Sequence, residues 1–130
     1  MKMICPSILS ADFAKLAEEI KEVEQGGADV IHCDIMDGHF VPNITFGSDV
    51  VAKVNSITGL PLDVHLMIEN ADEYVTPFAE AGADFISVHF ENNYHLNRLL
   101  NKIKSLGAKA GVVLNPATPV AMLKNIIEYS

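Results

Sequence analysis

The sequence predicts an α/β fold of parallel strands, and three observations carry that expectation. Four segments open alike: Gly27-Ala28-Asp29-Val30-Ile31, Gly59-Leu60-Pro61-Leu62-Asp63-Val64, Gly82-Ala83-Asp84-Phe85-Ile86 and Gly107-Ala108-Lys109-Ala110-Gly111-Val112. Each is a glycine suited to the left-handed position after a helix, a short turn, and a run apolar enough for a buried parallel strand. The glycines stand 32, 23 and 25 residues apart, about one strand plus one helix each time. Finally, polar side chains fall at the expected strand ends: Ser7, then His32 and Asp34, then His65, His89 and Asn115. Barrel enzymes keep their chemistry in such a ring. No glycine-rich dinucleotide fingerprint follows the first strand, which disfavours an open nucleotide-binding sheet. The pattern fits a (β/α)8 TIM barrel. Since that fold takes ~250 residues, the 130 residues here supply its first five βα units as one domain, ending after the fifth helix.

The elements follow in order. Met3–Leu9 predicts the first strand. Phe13, Leu16, Ile20 and Val23 recur at helical spacing, and Gly26-Gly27 stops that helix. A strand over 30–36 follows. Ser48 suits the N-cap of a helix carrying Val50, Val51, Val54 and Ile57. After the strand 62–67, Asn70 and Glu73 suggest a reciprocal cap, while Pro77 should kink or interrupt the helix that follows. The fourth strand ends at His89, and Leu96, Leu99, Leu100, Ile103 and Leu106 make the clearest apolar stripe. Thr118-Pro119 predicts a capped helix start running to Ser130.

Composition narrows the function classes. Hydrophobic residues make up 49% and charged residues 20% of the chain, a globular balance. A net charge of −8 with nine scattered basic residues argues against nucleic acid or an anionic membrane as partner. A phosphorylated small molecule stays compatible, because backbone N–H groups at a helix start can hold phosphate. No segment approaches the ~18 apolar residues of a membrane span. The N-terminus lacks a signal-peptide hydrophobic region. Two cysteines, Cys5 and Cys33, make no disulfide framework, so the expected location is cytoplasmic.

Strand alternation places the chemistry. Side chains at every second position share a face, so His32, Asp34 and Met36 point one way, as do Asp63, His65 and Met67. If the two strands are parallel neighbours, two imidazoles and a carboxylate converge. That donor set suits a borderline divalent cation without selecting one. Simpler roles fit other residues: solvation for His39 and His95, packing for Cys5 and Cys33, and a turn for Asp37-Gly38 with Asn43. His89 fits either packing or a pocket lining.

Four motifs together resemble the ribulose-phosphate 3-epimerase family: Ser7-Ile8-Leu9-Ser10-Ala11-Asp12, His32-Cys33-Asp34-Ile35-Met36-Asp37-Gly38-His39-Phe40-Val41-Pro42-Asn43, Asp63-Val64-His65-Leu66-Met67 and Gly82-Ala83-Asp84. The resemblance implies a (β/α)8 isomerase of the pentose phosphate pathway. Such enzymes interconvert D-ribulose 5-phosphate and D-xylulose 5-phosphate by removing and returning a proton at C3 through a cis-enediolate. It implies one divalent metal ion (Zn²⁺, Fe²⁺, Mn²⁺ or Co²⁺) held by His32, Asp34 and His65, with Asp34 also an acid/base. Ser7, His65, Met36 and Met67 are then substrate contacts, and a homo-oligomer is implied. D-allulose 6-phosphate is the alternative substrate. The family's second acid/base aspartate and glycine-rich phosphate grip belong to later strands, outside residues 1–130, so this stretch alone is expected to be inactive.

Overall fold

The computed structural model describes residues 1–127. Four parallel strands lie in sequence order, β1 (Ile31–Met36), β2 (Leu62–Met67), β3 (Phe85–His89) and β4 (Lys109–Val113). Helices α1 (Leu16–Gln25), α2 (Ser48–Ile57), α3 (Ala71–Glu80) and α4 (Leu96–Ser105) supply the crossovers. This is the α/β repeat expected from the spacing of the glycines.

Alternation along the strands separates two faces. Ile31, Cys33 and Ile35 of β1 and Leu62, Val64 and Leu66 of β2 are buried toward the helices. Ile86 and Val88 continue that face on β3. The helices answer with Ile20, Val51, Val54, Val75, Leu100 and Ile103, all without exposed surface. Each such side chain contributes about 1.5–3 kcal/mol on leaving water. The opposite face carries His32, Asp34, Asp63, His65, Ser87 and His89.

Register fixes which of these polar residues meet. Asp34 pairs with His65 and His65 with Ser87, while His32 pairs with Asp63 and Met36 with Met67. Ser87 pairs with Gly111 on β4. A Cβ at Gly111 would stand 2.5 Å from Ser87 Oγ, so any larger residue there requires that hydroxyl to turn away.

Several local expectations are corrected. Met3–Leu9 is not a ladder-paired strand. Ile4 O accepts from the N–H groups of Asp29 (2.8 Å) and Val30 (3.3 Å), and Pro6 O accepts from His32 N–H (2.9 Å). Pro6 has no N–H, which breaks the ladder. Only a single parallel bridge remains, between Ser7 and His32. The chain then enters a 3-10 turn over Ile8–Ser10, where Ser7 Oγ accepts from Leu9 N–H. Cys5 is exposed rather than packed, because nothing among the described residues covers the inner face there. Cys33 is buried, as expected.

Gly27, Gly82 and Gly107 adopt positive φ as the repeat requires, but Gly59 does not. At that position Thr58 ends α2 in extended backbone, and its hydroxyl accepts from Leu60 N–H. Gly47, not Ser48, is the N-cap of α2, and Asn70 makes no side-chain cap on α3. Pro77 does not interrupt α3, which runs through it to Glu80. The helix carbonyl left without a donor belongs to Glu73, whose residue is exposed. At the C-terminal end, Thr118 caps nothing, and a 3-10 turn over Val120–Leu123 replaces the expected α-helix. Val120, Met122 and Ile127 are all exposed there. Ile126 alone packs against the core, and a short segment with so little apolar contact has little to hold it helical. Residues 128–130 of the expected helix lie outside the described residues.

Candidate metal centre

Two adjacent strands build the centre. β1 contributes His32 and Asp34, and β2 contributes His65 in register with Asp34. His32 is the second residue of β1, so the cluster is set into the sheet face rather than at its rim. Asp34 Oδ1 lies 3.0 Å from His32 Nε2 and 3.2 Å from His65 Nδ1. One donor atom from each of the three lies within 4.8 Å of the others. Ser7 is brought in through its bridge to His32, and its hydroxyl donates to Asp34 Oδ2 at 2.7 Å. Met36 and Met67 are paired further along the same face, with Met67 nearly buried. All six residues singled out by the sequence therefore share one face of the molecule.

Each imidazole has its outer nitrogen engaged, and sequence reasoning missed both partners. His32 Nδ1 sits 2.8 Å from Asp63 Oδ2. His65 Nε2 sits 2.8 Å from His89 Nε2, with the two rings stacked at 4.9 Å and 27°. Beyond it, His89 Nδ1 is 3.4 Å from Glu91 Oε2, close enough for charge attraction but too poorly aligned for a hydrogen bond. The signal for Asp63 was present: it stands two residues before His65 on the same face. The same two-residue spacing places Glu91 beside His89, a signal the sequence reading did not use.

The ionisation states of Asp34 and His65 suit a cation, while His32 holds a proton that a cation at Nε2 would displace. Burial opposes charge on Asp34, but the Ser7 hydroxyl and the two imidazoles outweigh it and hold the carboxyl below its ordinary value. Burial, with His89 nearby, pushes His65 down and favours the neutral ring that can coordinate. His32 is raised, chiefly by the Asp63 carboxylate, against the effect of burial. Burial pushes the Cys33 thiol up to about 12, so it is inert on the helix side. Two imidazole nitrogens and a carboxylate, each imidazole oriented by a further group, fit a divalent ion and its outer shell.

Loop 37–45 closes over this face. Asp37 Oδ1 accepts from His39 N–H (2.8 Å) and Phe40 N–H (2.9 Å), and its Oδ2 accepts from Glu69 N–H (2.8 Å). Thr45 Oγ1 donates to Asp34 O and accepts from Met36 N–H. The Phe40 ring lies against His89, centroids 4.7 Å apart. His39 and His95 are solvated, as expected. A cavity of about 900 Å³ lies beyond the loop, lined by Phe46, Val50, Tyr74 and Phe78 among others. Met36 lines it, whereas none of His32, Asp34 or His65 does.

Fold and cluster together define an α/β protein with parallel βα units and a candidate divalent-cation centre on the sheet face opposite its helices. Residues 3–129 match the Ribulose-phosphate 3 epimerase family. The chain belongs to that family. It is 59% identical over 128 residues to ribulose-phosphate 3-epimerase of Bacillus subtilis, covering 98% of this chain and 59% of that protein. The Aquifex aeolicus ribulose-phosphate 3-epimerase is 52% identical over 130 residues, with 100% and 59% covered. Ribulose-5-phosphate-3-epimerase, chloroplastic, of Arabidopsis thaliana is 56% identical over 128 residues, with 97% and 46% covered. The chain thus spans about half the length of the curated relatives it matches. No helix among the described residues is long and apolar enough to cross a membrane.

Proposed function

We propose that this chain is the N-terminal part of a (β/α)8 barrel that acts as a metal-dependent ribulose-phosphate 3-epimerase, interconverting D-ribulose 5-phosphate and D-xylulose 5-phosphate in the pentose phosphate pathway. One observation carries this: His32 Nε2, Asp34 and His65 Nδ1 converge on a single point of the inner face. These residues would hold the ion. When bound, a divalent ion supplies Lewis-acid polarisation of the ketose carbonyl next to C3.

The chain's own residues do the rest. Asp34, kept ionised by Ser7 and the histidines, accepts the C3 proton on one face of the sugar, leaving a planar cis-enediolate. The Ser7 hydroxyl orients that carboxylate and contacts substrate. Met36 and Met67 present apolar thioethers that limit water beside the planar carbons. Inversion needs a second acid on the opposite face. The resemblance to the family implies that the opposing carboxylate and the phosphate grip lie in the part of the relatives beyond the matched stretch. Residues 1–130 by themselves are then inactive. Free Cys5 and Cys33 fit a reducing compartment, and the reading places the protein in the cytoplasm as a homo-oligomer.

The test is hydrogen exchange at C3 in deuterated water, using this sequence continued by the remaining length of its relatives. Exchange should appear, vanish in Asp34→Asn and on chelation, and return with Zn²⁺, Fe²⁺, Mn²⁺ or Co²⁺. Undiminished exchange in thoroughly metal-free protein would refute the assignment.

A further inference from the structure

His65 can serve the centre only if Nδ1 offers a lone pair, which requires its single proton to sit on Nε2. That nitrogen faces His89 Nε2 at 2.8 Å, a separation that holds one proton between the rings. The tautomers of the two histidines are therefore linked. If His65 donates, His89 accepts at Nε2 and carries its own proton on Nδ1, facing the Glu91 carboxylate. If His89 donates instead, its Nδ1 turns a buried lone pair toward that carboxylate, and His65 Nδ1 is blocked by a proton.

We propose that His89, backed by Glu91, is a positioning residue that fixes His65 in the tautomer with Nδ1 free; this rests on the metal centre of the preceding subsection. Glu91, two residues beyond His89, is held for the task by a separate segment. Its Oε1 accepts from Asn115 N–H and from Thr118 Oγ1 at 3.1 Å, beyond the end of β4. His89 is shielded by Phe40 and is only 5% exposed, so solvent does not offer a competing partner. The proton order runs from Glu91 through His89 to His65 and ends at the face shared with Asp34. Outer partners of this kind commonly alter metal affinity ~10–100-fold when removed.

The experiment is long-range 1H–15N NMR of the histidine rings in Zn²⁺-loaded protein, with Zn²⁺ affinities of variants. The expected result is a proton on Nε2 of His65 and on Nδ1 of His89. His89→Phe, which fills the space without an acceptor, should weaken Zn²⁺ binding ~10–100-fold, while His89→Gln, which keeps an acceptor, should recover most of it. Glu91→Gln sits at the exposed end and tests the relay without a buried change; it should weaken binding several-fold. A proton on Nε2 of His89, or His89→Phe and Glu91→Gln binding like wild type, would overturn the role of His89 alone. Failure of the unaltered protein to bind Zn²⁺ would instead remove the metal centre, and this inference with it.

Discussion

The two faces of one sheet differ more than any two elements of the molecule. Toward the helices, β1 and β2 present Ile31, Cys33, Ile35, Leu62, Val64 and Leu66, nearly without solvent contact. On the other side the intervening residues are His32, Asp34, Asp63 and His65, tied by hydrogen bonds of 2.8–3.2 Å. The same backbone serves both, displaced by one residue. Stability is concentrated on one side and chemistry on the other, so substitutions should sort by the parity of their position.

The largest effect should come from the apolar face. Leu62→Ala removes a side chain with no exposed surface and should cost about 2–5 kcal/mol of folding stability. Urea denaturation measures it, and the fraction still folded should bind Zn²⁺ as the parent does. A large affinity loss without destabilisation would break the separation of faces. On the polar side, Asp63→Ala deprives His32 Nδ1 of its partner and should weaken Zn²⁺ binding ~10–100-fold. Its effect on stability should be far smaller than that of Leu62→Ala, because Asp63 and His32 are partly open to solvent. Calorimetric titration beside a urea curve gives both quantities.

The smallest effect concerns the loop over the polar face. Burial disfavours the charge on Asp37, but the N–H groups of Glu69, His39 and Phe40 prevail and hold the carboxyl below its ordinary 3.8. The folded state therefore binds its proton less readily than the unfolded chain. The stability it contributes is fully present above pH 3.8 and is lost as the pH falls through the lower folded value. Asp37→Asn should cost about 1 kcal/mol at neutral pH after allowance for solvent screening. The gap between variant and parent should close in acid. A gap that widens in acid would sharpen the comparison differently, by showing that the loop is held through its neighbours rather than through this carboxylate.

Much of this was legible in the sequence because period-2 alternation and glycine spacing are local signals. They gave the four strands, their parallel order and the convergence of His32, Asp34 and His65. What stayed hidden was tertiary. Pro6 lacks a donor, yet only its neighbour β1 reveals that the ladder fails there. Thr58 stands in for a left-handed glycine through its own hydroxyl, a choice that composition does not announce. The Asn115 N–H and Thr118 hydroxyl that hold Glu91 come from beyond β4, a contact that hydrophobic periodicity does not encode. The Thr118-Pro119 signal is a true helix-start pattern whose segment leaves Val120, Met122 and Ile127 exposed and packs only Ile126 against the core.

Gly111 carries a consequence out of proportion to its size. Ser87 Oγ occupies the space a methyl would claim, and Ser87 is the direct cross-strand neighbour of His65, which in turn faces Asp34. Any bulk grafted onto β4 at that point must first turn aside the Ser87 hydroxyl, on the strand that flanks His65. The bare backbone of β4 thereby leaves room for a hydroxyl at the border of the constellation.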